Sequence, residues 1–308
     1  VARDERGFAL LVVLLVVALV AVAGAEFAYS MRLEAAAVRA YKAEIIGTHL
    51  AEAALEQAMR EIVGDAPFVA EDNDGLLTFY TADGRALPRL PRDKVEFGGG
   101  RYSYRITDEE ARLNLNTTPP ERIDRLLQTL GIDKEDRDAI NDAIQDWRDP
   151  NEEHRLRGAE SDDYYLKLKV PYRSRNANLE SITELLQIKG ITPAIYQGTK
   201  DRPGLASFVS VRSPGQVNIN TAPAAVLSAF GLSGAEISEV EQSRRNHGPF
   251  LTTPGKFGGR NLKEKTSMFR VEAEGLLDDR VAARLTAVVQ RREGDPPVVA
   301  VVEWSRNR

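Results

Sequence analysis

The densest run of chemically able side chains lies at residues 146–168, DWRDPNEEHRLRGAESDDYYLKL. Asp146, Asp149, Asn151, Glu160, Asp162 and Asp163 set oxygen donors along a stretch with the proline, glycine and charge of a loop. A hard cation such as calcium takes oxygen ligands of this kind from a flexible segment. The spacing is not that of an EF-hand loop, so chemistry alone leaves two readings open, a cation site or a solvated acidic loop. His49, His154 and His247 stand far apart in unlike contexts and read as surface residues. The chain has no cysteine, which removes disulfides, thiolate metal sites and cysteine nucleophiles. Gly98-Gly99-Gly100 lacks the Lys-Ser/Thr of a phosphate loop, and Gly-x-Ser-x-Gly does not occur. No enzyme is expected.

The loop must be held by what flanks it, and what flanks it repeats. Leu113-Asn114-Leu115-Asn116-Thr117-Thr118-Pro119 recurs as Val217-Asn218-Ile219-Asn220-Thr221-Ala222-Pro223, each followed by an apolar helix and a glycine, Gly131 or Gly231. Asn or Thr caps such a helix, proline suits its first turn and glycine ends it. A further helix is expected to open on the capping box Ser181-x-x-Glu184 and close at Gly190. These helices leaving by Gly-Ile or Gly-Leu turns resemble the helix-hairpin-helix module. The stretch from Val217 to Phe250 is similar to versions that bind DNA, with Gly231, Gly234, Arg244 and Arg245, whereas the first repeat has Asp133 at the second glycine position. A compact packing unit and a DNA contact are the competing readings. A net charge of -5 has the wrong sign for a general nucleic-acid binder, so nucleic acid is not an expected partner.

With 308 residues and 43% apolar content, the chain can bury a sizeable core. Alternation in LLTFY (76–80), RYSYRIT (101–107), SMFRVEAEGLL (267–277), VAARLTAVVQR (281–291) and VVAVVEW (298–304) predicts strands. Turns are expected at Leu277-Asp278-Asp279 and Asp295-Pro296-Pro297.

Phe8 to Val22 carries no polar side chain, and the apolar stretch runs on to Ala28 with Glu26 as its first acid. Roughly 20 residues, or about 30 Å of helix, match a bilayer core. Arg3 and Arg6 precede it, and Gly7 stands directly before Phe8. The residues after the span keep a helical pattern through Leu33, Ala37, Ala40, Ile45, Ile46, Leu50, Ala54, Leu55 and Met59, with no proline before Pro67. One helix is therefore expected over 8–63, its first part (8–28) in lipid and the rest docked on a sheet.

This N-terminus resembles those of type IV pilins and pseudopilins, in which a prepilin peptidase cuts after the glycine and the new N-terminus is methylated. The resemblance makes 1–7 a leader, with Gly7 and Phe8 flanking the cut. Most of the superfamily has glutamate at the fifth mature position; here that position is Val12. A carboxylate in lipid is costly without the amine of the subunit ahead, so its absence implies a subunit with none ahead, at the tip of the filament. A plain signal anchor is the alternative for this segment.

Taken with Asp146-Trp147, Gly158-Ala159-Glu160 and Tyr164-Tyr165, the chain resembles the K-type minor pseudopilins of type II secretion systems over nearly its full length. The resemblance implies an α+β pilin-like fold, a long helix on an antiparallel sheet (64–110 and 264–308) interrupted by a mostly α-helical domain at 111–263. It implies calcium on Asp146, Asp149, Asn151, Glu160, Asp162 and Asp163, with Pro150 and Arg148 turned away. It also implies I, J and H minor pseudopilins as partners, a single pass through the bacterial inner membrane, and a periplasmic C-terminal domain that initiates or caps the pseudopilus.

Overall fold

The computed structural model describes residues 5–307 apart from 65, 73, 293, 295 and 296. Residues 1–4 of the expected leader, and Asp295 and Pro296 of the expected turn, lie outside the described residues. Helix α1 (Glu5–Ile62) runs without a break for 58 residues, roughly 87 Å at about 1.5 Å per residue. Alanine, leucine and other helix formers fill it, and no proline interrupts it. Gly7 lies within this helix, and residues 8–42 are exposed along their whole circumference.

The docked face begins near Gly47 and continues through Leu50, Ala51, Ala54, Ala58 and Ile62, mostly small residues four apart that let the sheet come close. Leu33, Ala37 and Ala40, expected on that face, are exposed. The reason is reach. A strand of 10 residues such as Met268–Leu277 spans about 33 Å, which covers only about 22 helical residues.

The sheet has five antiparallel strands, β3 (Val95–Phe97), β4 (Gly100–Asp108), β5 (Met268–Leu277), β6 (Arg280–Arg292) and β7 (Val298–Asn307), in the order β7-β6-β5-β4-β3. Tyr102, Tyr104, Ile106, Phe269, Val271, Ala273, Leu285, Ala287 and Val289 face α1 and form one core with it. Asp278 and Asp279 both take positive φ, 49° and 59°, as a two-residue hairpin turn between β5 and β6 demands. The LLTFY segment does not join this sheet. Its strand β2 (Leu77–Tyr80) pairs with β1 (Phe68–Glu71) in a separate hairpin. Leu77, Thr78 and Phe79 are buried on both faces of that strand, and Phe79 packs 5.7 Å from Phe269, so the hairpin closes the core as a lid.

Between β4 and β5 the chain leaves the sheet at its end nearest Ile62 and builds a second body. Helix α2 (Pro120–Thr129) turns through Gly131 into α3 (Lys134–Arg148), and α5 (Ala224–Ala229) turns through Gly231 into α6 (Gly234–His247). The element opening at Ser181 is a tight 3-10 turn over Ile182–Gln187, with the capping box present, and it leads through Gly190 to the short α4 (Pro193–Gln197). Asp133, Thr192 and Ser233 cap the second member of each pair by accepting from a backbone N–H three residues on.

The Asn-x-Asn motif has a specific task. Asn114 and Asn218 accept from the backbone N–H two residues on, at 2.8 and 2.9 Å, folding the turn ahead of the helix. Asn116 and Asn220 then pin distant chain, Asn116 on Leu179 and Val211, Asn220 on Phe250 and Glu264. An arginine at the end of the second helix closes each unit: Arg148 donates to Leu115 and Thr118 carbonyls, Arg244 to those of Ile219 and Ala222. The core of this body, with Trp147, Leu126, Ile144, Tyr165 and Val226, shares no residue with the core beneath α1.

Candidate functional site

The acidic loop hangs from the C-terminal end of α3. Asp146 is the last buried acid of that helix, its side chain fully inside. Its carboxylate accepts from the backbone of Arg155 at 3.2 and 3.1 Å and of Ala159 at 2.9 Å, which wraps the loop around it. Gly158 makes this possible, since a Cβ there would stand 1.7 Å from Asp146 Oδ2. Trp147 points the other way and packs edge-on against Tyr165 at 5.3 Å and Tyr172 at 6.3 Å. The Asp-Trp pair thus divides its work, with the acid holding the loop and the indole anchoring it to the core.

Asp149 accepts from Arg155 Nη1 at 2.6 Å, and the same nitrogen meets Asp146 Oδ1 at 2.6 Å. Glu160 is 1% exposed; Ser174 donates to its Oε2 at 2.7 Å, while Oε1 has no hydrogen-bond partner. Desolvation pushes its pKa up, offset by the Ser174 bond and reinforced by the charges of Asp146, Glu152 and Asp149 nearby. Asn151 lies alongside, donating to Asp149 Oδ1 at 2.8 Å. Asp162 and Asp163 are exposed, and Asp163 caps the backbone of Glu160 at 2.9 Å. Among the described residues no three acids or histidines stand as a ready-made ligand group. Arg148 donates to the Leu115 and Thr118 carbonyls and to no acid of the loop.

The loop's oxygen donors are of the type a hard cation takes, without the grouping that would hold one. Asp146, Asp149 and Glu160 are carboxylates within one another's field, and a buried anionic oxygen such as Glu160 Oε1 is costly without a donor or cation. Sequence inspection passed over Arg155, Glu152 and the Ser161–Ser174 pair, which lies at 2.6 Å between their hydroxyls and backs Glu160. The arginines at 155 and 157 inside the acidic run were the available signal.

A second polar cluster, also missed, joins the two bodies. Asp108, Glu109 and Glu110 are consecutive and buried. Asp108 accepts from Asn218, Thr221 and Thr266 side chains at 2.6–2.7 Å, and burial raises its pKa. Glu109 takes both arms of Arg270 at 2.8 and 2.9 Å, with Arg112 at 2.8 Å and Ser210 at 2.7 Å. Desolvation works against its charge, yet the Arg270 bonds and the charges of Arg112 and Arg270 hold its pKa below the usual range. Glu110 accepts from Ser267 and Met268 backbone and pairs with Lys263.

Of the residues that the competing DNA reading would use, Arg244 is spent on its own turn, and burial lowers its pKa to about 10. Arg245 is exposed. At the other end of the molecule Phe8 is 72% and Val12 43% exposed on the apolar front of α1. That helix is long and apolar enough to cross a membrane.

Comparison with known proteins places these features. A family model described as type II secretion system (T2SS), protein K, matches residues 107–202, which hold α2, α3, the acidic loop and α4. The chain is 27% identical to type II secretion system protein K of Pseudomonas aeruginosa over 325 residues, 97% of this chain and 92% of that one. It is 29% identical to a putative type II secretion system protein K of Escherichia coli K12 over 233 residues, covering 71% of this chain and 66% of the relative. Among solved structures, a chain of the GspK-GspI-GspJ complex of enterotoxigenic Escherichia coli superposes with a TM-score of 0.57 at 17% identity, covering 71% of this chain and 84% of that chain.

Proposed function

Because the chain belongs to the type II secretion system protein K family and is a minor pseudopilin, we propose that it forms the tip of the pseudopilus, initiating or capping the filament that exports folded proteins. One observation carries this. The second body grows from the end of the sheet beside Ile62, so it stands at the far end of the molecule from the apolar front of α1. A subunit stacked ahead would need that space. Val12 agrees, since without an acid in the apolar front the helix has no charge for a preceding subunit to neutralise.

The partners that follow are the I- and J-type minor pseudopilins named with the solved relative, and the H type beneath them. They would pack along the exposed length of α1 between the bilayer and the sheet. Tyr29, Met31, Leu33, Val38 and Tyr41 lie exposed there. The apolar front sits in the inner membrane with the rest in the periplasm, after prepilin peptidase has cut between Gly7 and Phe8 and Phe8 has been methylated. The paired helices serve as helix-hairpin-helix-like packing units. Asp146, Asp149 and Glu160, with Asn151 beside them, would hold a calcium ion only if their carboxylates drew together.

Co-expression of the full chain with I- and J-type partners in detergent tests the assignment. The expected result is a ternary complex in which mass spectrometry finds this subunit beginning at Phe8. A chain that elutes alone, with partners that assemble without it, would overturn the tip role.

A further inference from the structure

Arg122 and Arg125 stand three residues apart on α2, so their side chains leave one face of the helix on adjacent turns. The Arg122 guanidinium lies 4.3 Å above the ring of Phe230, the buried residue that follows α5. Arg125 reaches the same turn. Its Nη1 is 3.4 Å from the Ala229 carbonyl oxygen, and a Cβ on Gly231 would meet that nitrogen at 3.4 Å. Both repeats therefore build this spot, α2 carrying the two arginines and the turn after α5 seating them.

Among the described residues neither guanidinium has a carboxylate partner. Arg122 makes no hydrogen bond within the protein, and Arg125 spends a single nitrogen on the Ala229 carbonyl. Burial lowers the Arg122 pKa, and the neighbouring charge of Arg125 lowers it further, with no acid working in the other direction. Arginine stays charged all the same. Like charges on adjacent turns repel and destabilise a helix. The Phe230 face attracts the Arg122 cation and fixes its plane, but it supplies no hydrogen-bond acceptor.

The molecule shows elsewhere what two arginines take between them. Arg270 and Arg112 close on the Glu109 carboxylate at 2.8–2.9 Å. The pair on α2 offers the same two planar forks without the acid.

We propose that Arg122 and Arg125 form a binding site for a carboxylate side chain, Asp or Glu, of a partner protein, with the Phe230 ring holding one fork in place. The site is independent of the tip role. A phosphate chain would need a row of cations, whereas the next positions on this face of α2, Gln128 and Thr129, are uncharged. Two charges suit one acidic side chain or a neighbouring pair of them.

The test uses the full chain in non-ionic detergent at low ionic strength. The probe is a labelled peptide of alternating glutamate and serine, with a glutamine-serine peptide as control. Fluorescence anisotropy should show binding of the first and not of the second. Arg125→Gln should weaken the acidic peptide by about 10-fold or more. It should melt no lower than wild type, because the substitution removes a repulsion. Arg125→Lys keeps the charge without the fork, and its affinity should lie between the two. An acidic peptide that fails to bind at about millimolar concentration, or that binds Arg125→Gln as it binds wild type, would overturn the site. Inorganic phosphate displacing the peptide more strongly than succinate at equal ionic strength would overturn the choice of a carboxylate. Succinate that raises the melting temperature while the peptide does not bind would replace the partner protein by a small acid. Should Arg125→Gln lack a cooperative melt, an Arg125→Lys affinity equal to wild type is the result that sinks the proposal.

Discussion

Glu109 shows how much a single buried side chain can hold. It is enclosed between two bodies, and its carboxylate answers Arg270 with both oxygens while Arg112 and Ser210 complete its shell. Replacing it with glutamine keeps the shape but leaves the Arg270 guanidinium, 16% exposed, without its counter-charge. Removing one partner of a buried pair costs about 3–5 kcal/mol, and Glu109→Gln should lose that much in urea unfolding. The sign of the pH effect follows from the depressed pKa. Stability from Glu109 is fully present above the ordinary carboxylate value and is lost as pH falls through its lower folded value. Asp108, raised by burial, acts in the opposite sense over mildly acid pH, because the folded state takes up its proton more readily. The expected profile from these two groups therefore rises from neutral pH into the mildly acid range and falls only below the usual carboxylate range. In Glu109→Gln that low-pH fall should be shallower than in wild type.

At the scale of elements, the contact between α1 and the sheet is set by backbone approach more than by large side chains. A Cβ on Gly275 would lie 1.9 Å from the Gly47 carbonyl oxygen and 2.9 Å from Leu50 Cβ. The β5–β6 register shifts at this glycine, where the sheet bends to receive the helix. Gly275→Ala should therefore push α1 off the sheet and cost about 1–3 kcal/mol, read as a lower melting temperature of the sheet core. Much of this architecture was legible beforehand. The apolar run and the absence of proline before Pro67 announced α1, and alternation located β2, β4, β5, β6 and β7. What stayed hidden was long-range geometry. Nothing in Leu33 or Ala37 says that the sheet ends before reaching them, and nothing in LLTFY says that its partner is Phe68–Glu71. In the acidic loop the ligand-like residues were visible as types, but Asp162 and Asp163 are exposed, Asp163 accepting from the Glu160 N–H, and Arg155 enters through a contact no spacing encodes. The three acids at 108–110 escaped for a related reason. A charge run is ordinarily solvated, and only the partners arriving from residues 210–270 make this one buried.

At the scale of the whole molecule, the two cores share no residue, and the joint between them is polar. The bodies should therefore be separable. Asp108 and Phe269 face each other across β4 and β5, so replacing residues 109–268 with Asn-Gly would close the gap with a two-residue hairpin in register. Asp108 would lose Asn218, Thr221 and Thr266, but it would then stand in water, where its charge needs no protein partner. The shortened chain should keep α1 docked through Leu50, Ala54, Ala58 and Ile62 and unfold cooperatively. If I- and J-type partners pack along α1, as proposed, they should still retain it. If the second body is what stops further subunits from stacking, pseudopili assembled with the shortened chain should change in length while the tip still forms. Electron microscopy of filaments alongside the co-purification decides between two cases. Unchanged length with intact assembly would remove the steric role of the second body, whereas loss of partner binding would move the interface from α1 onto the excised residues.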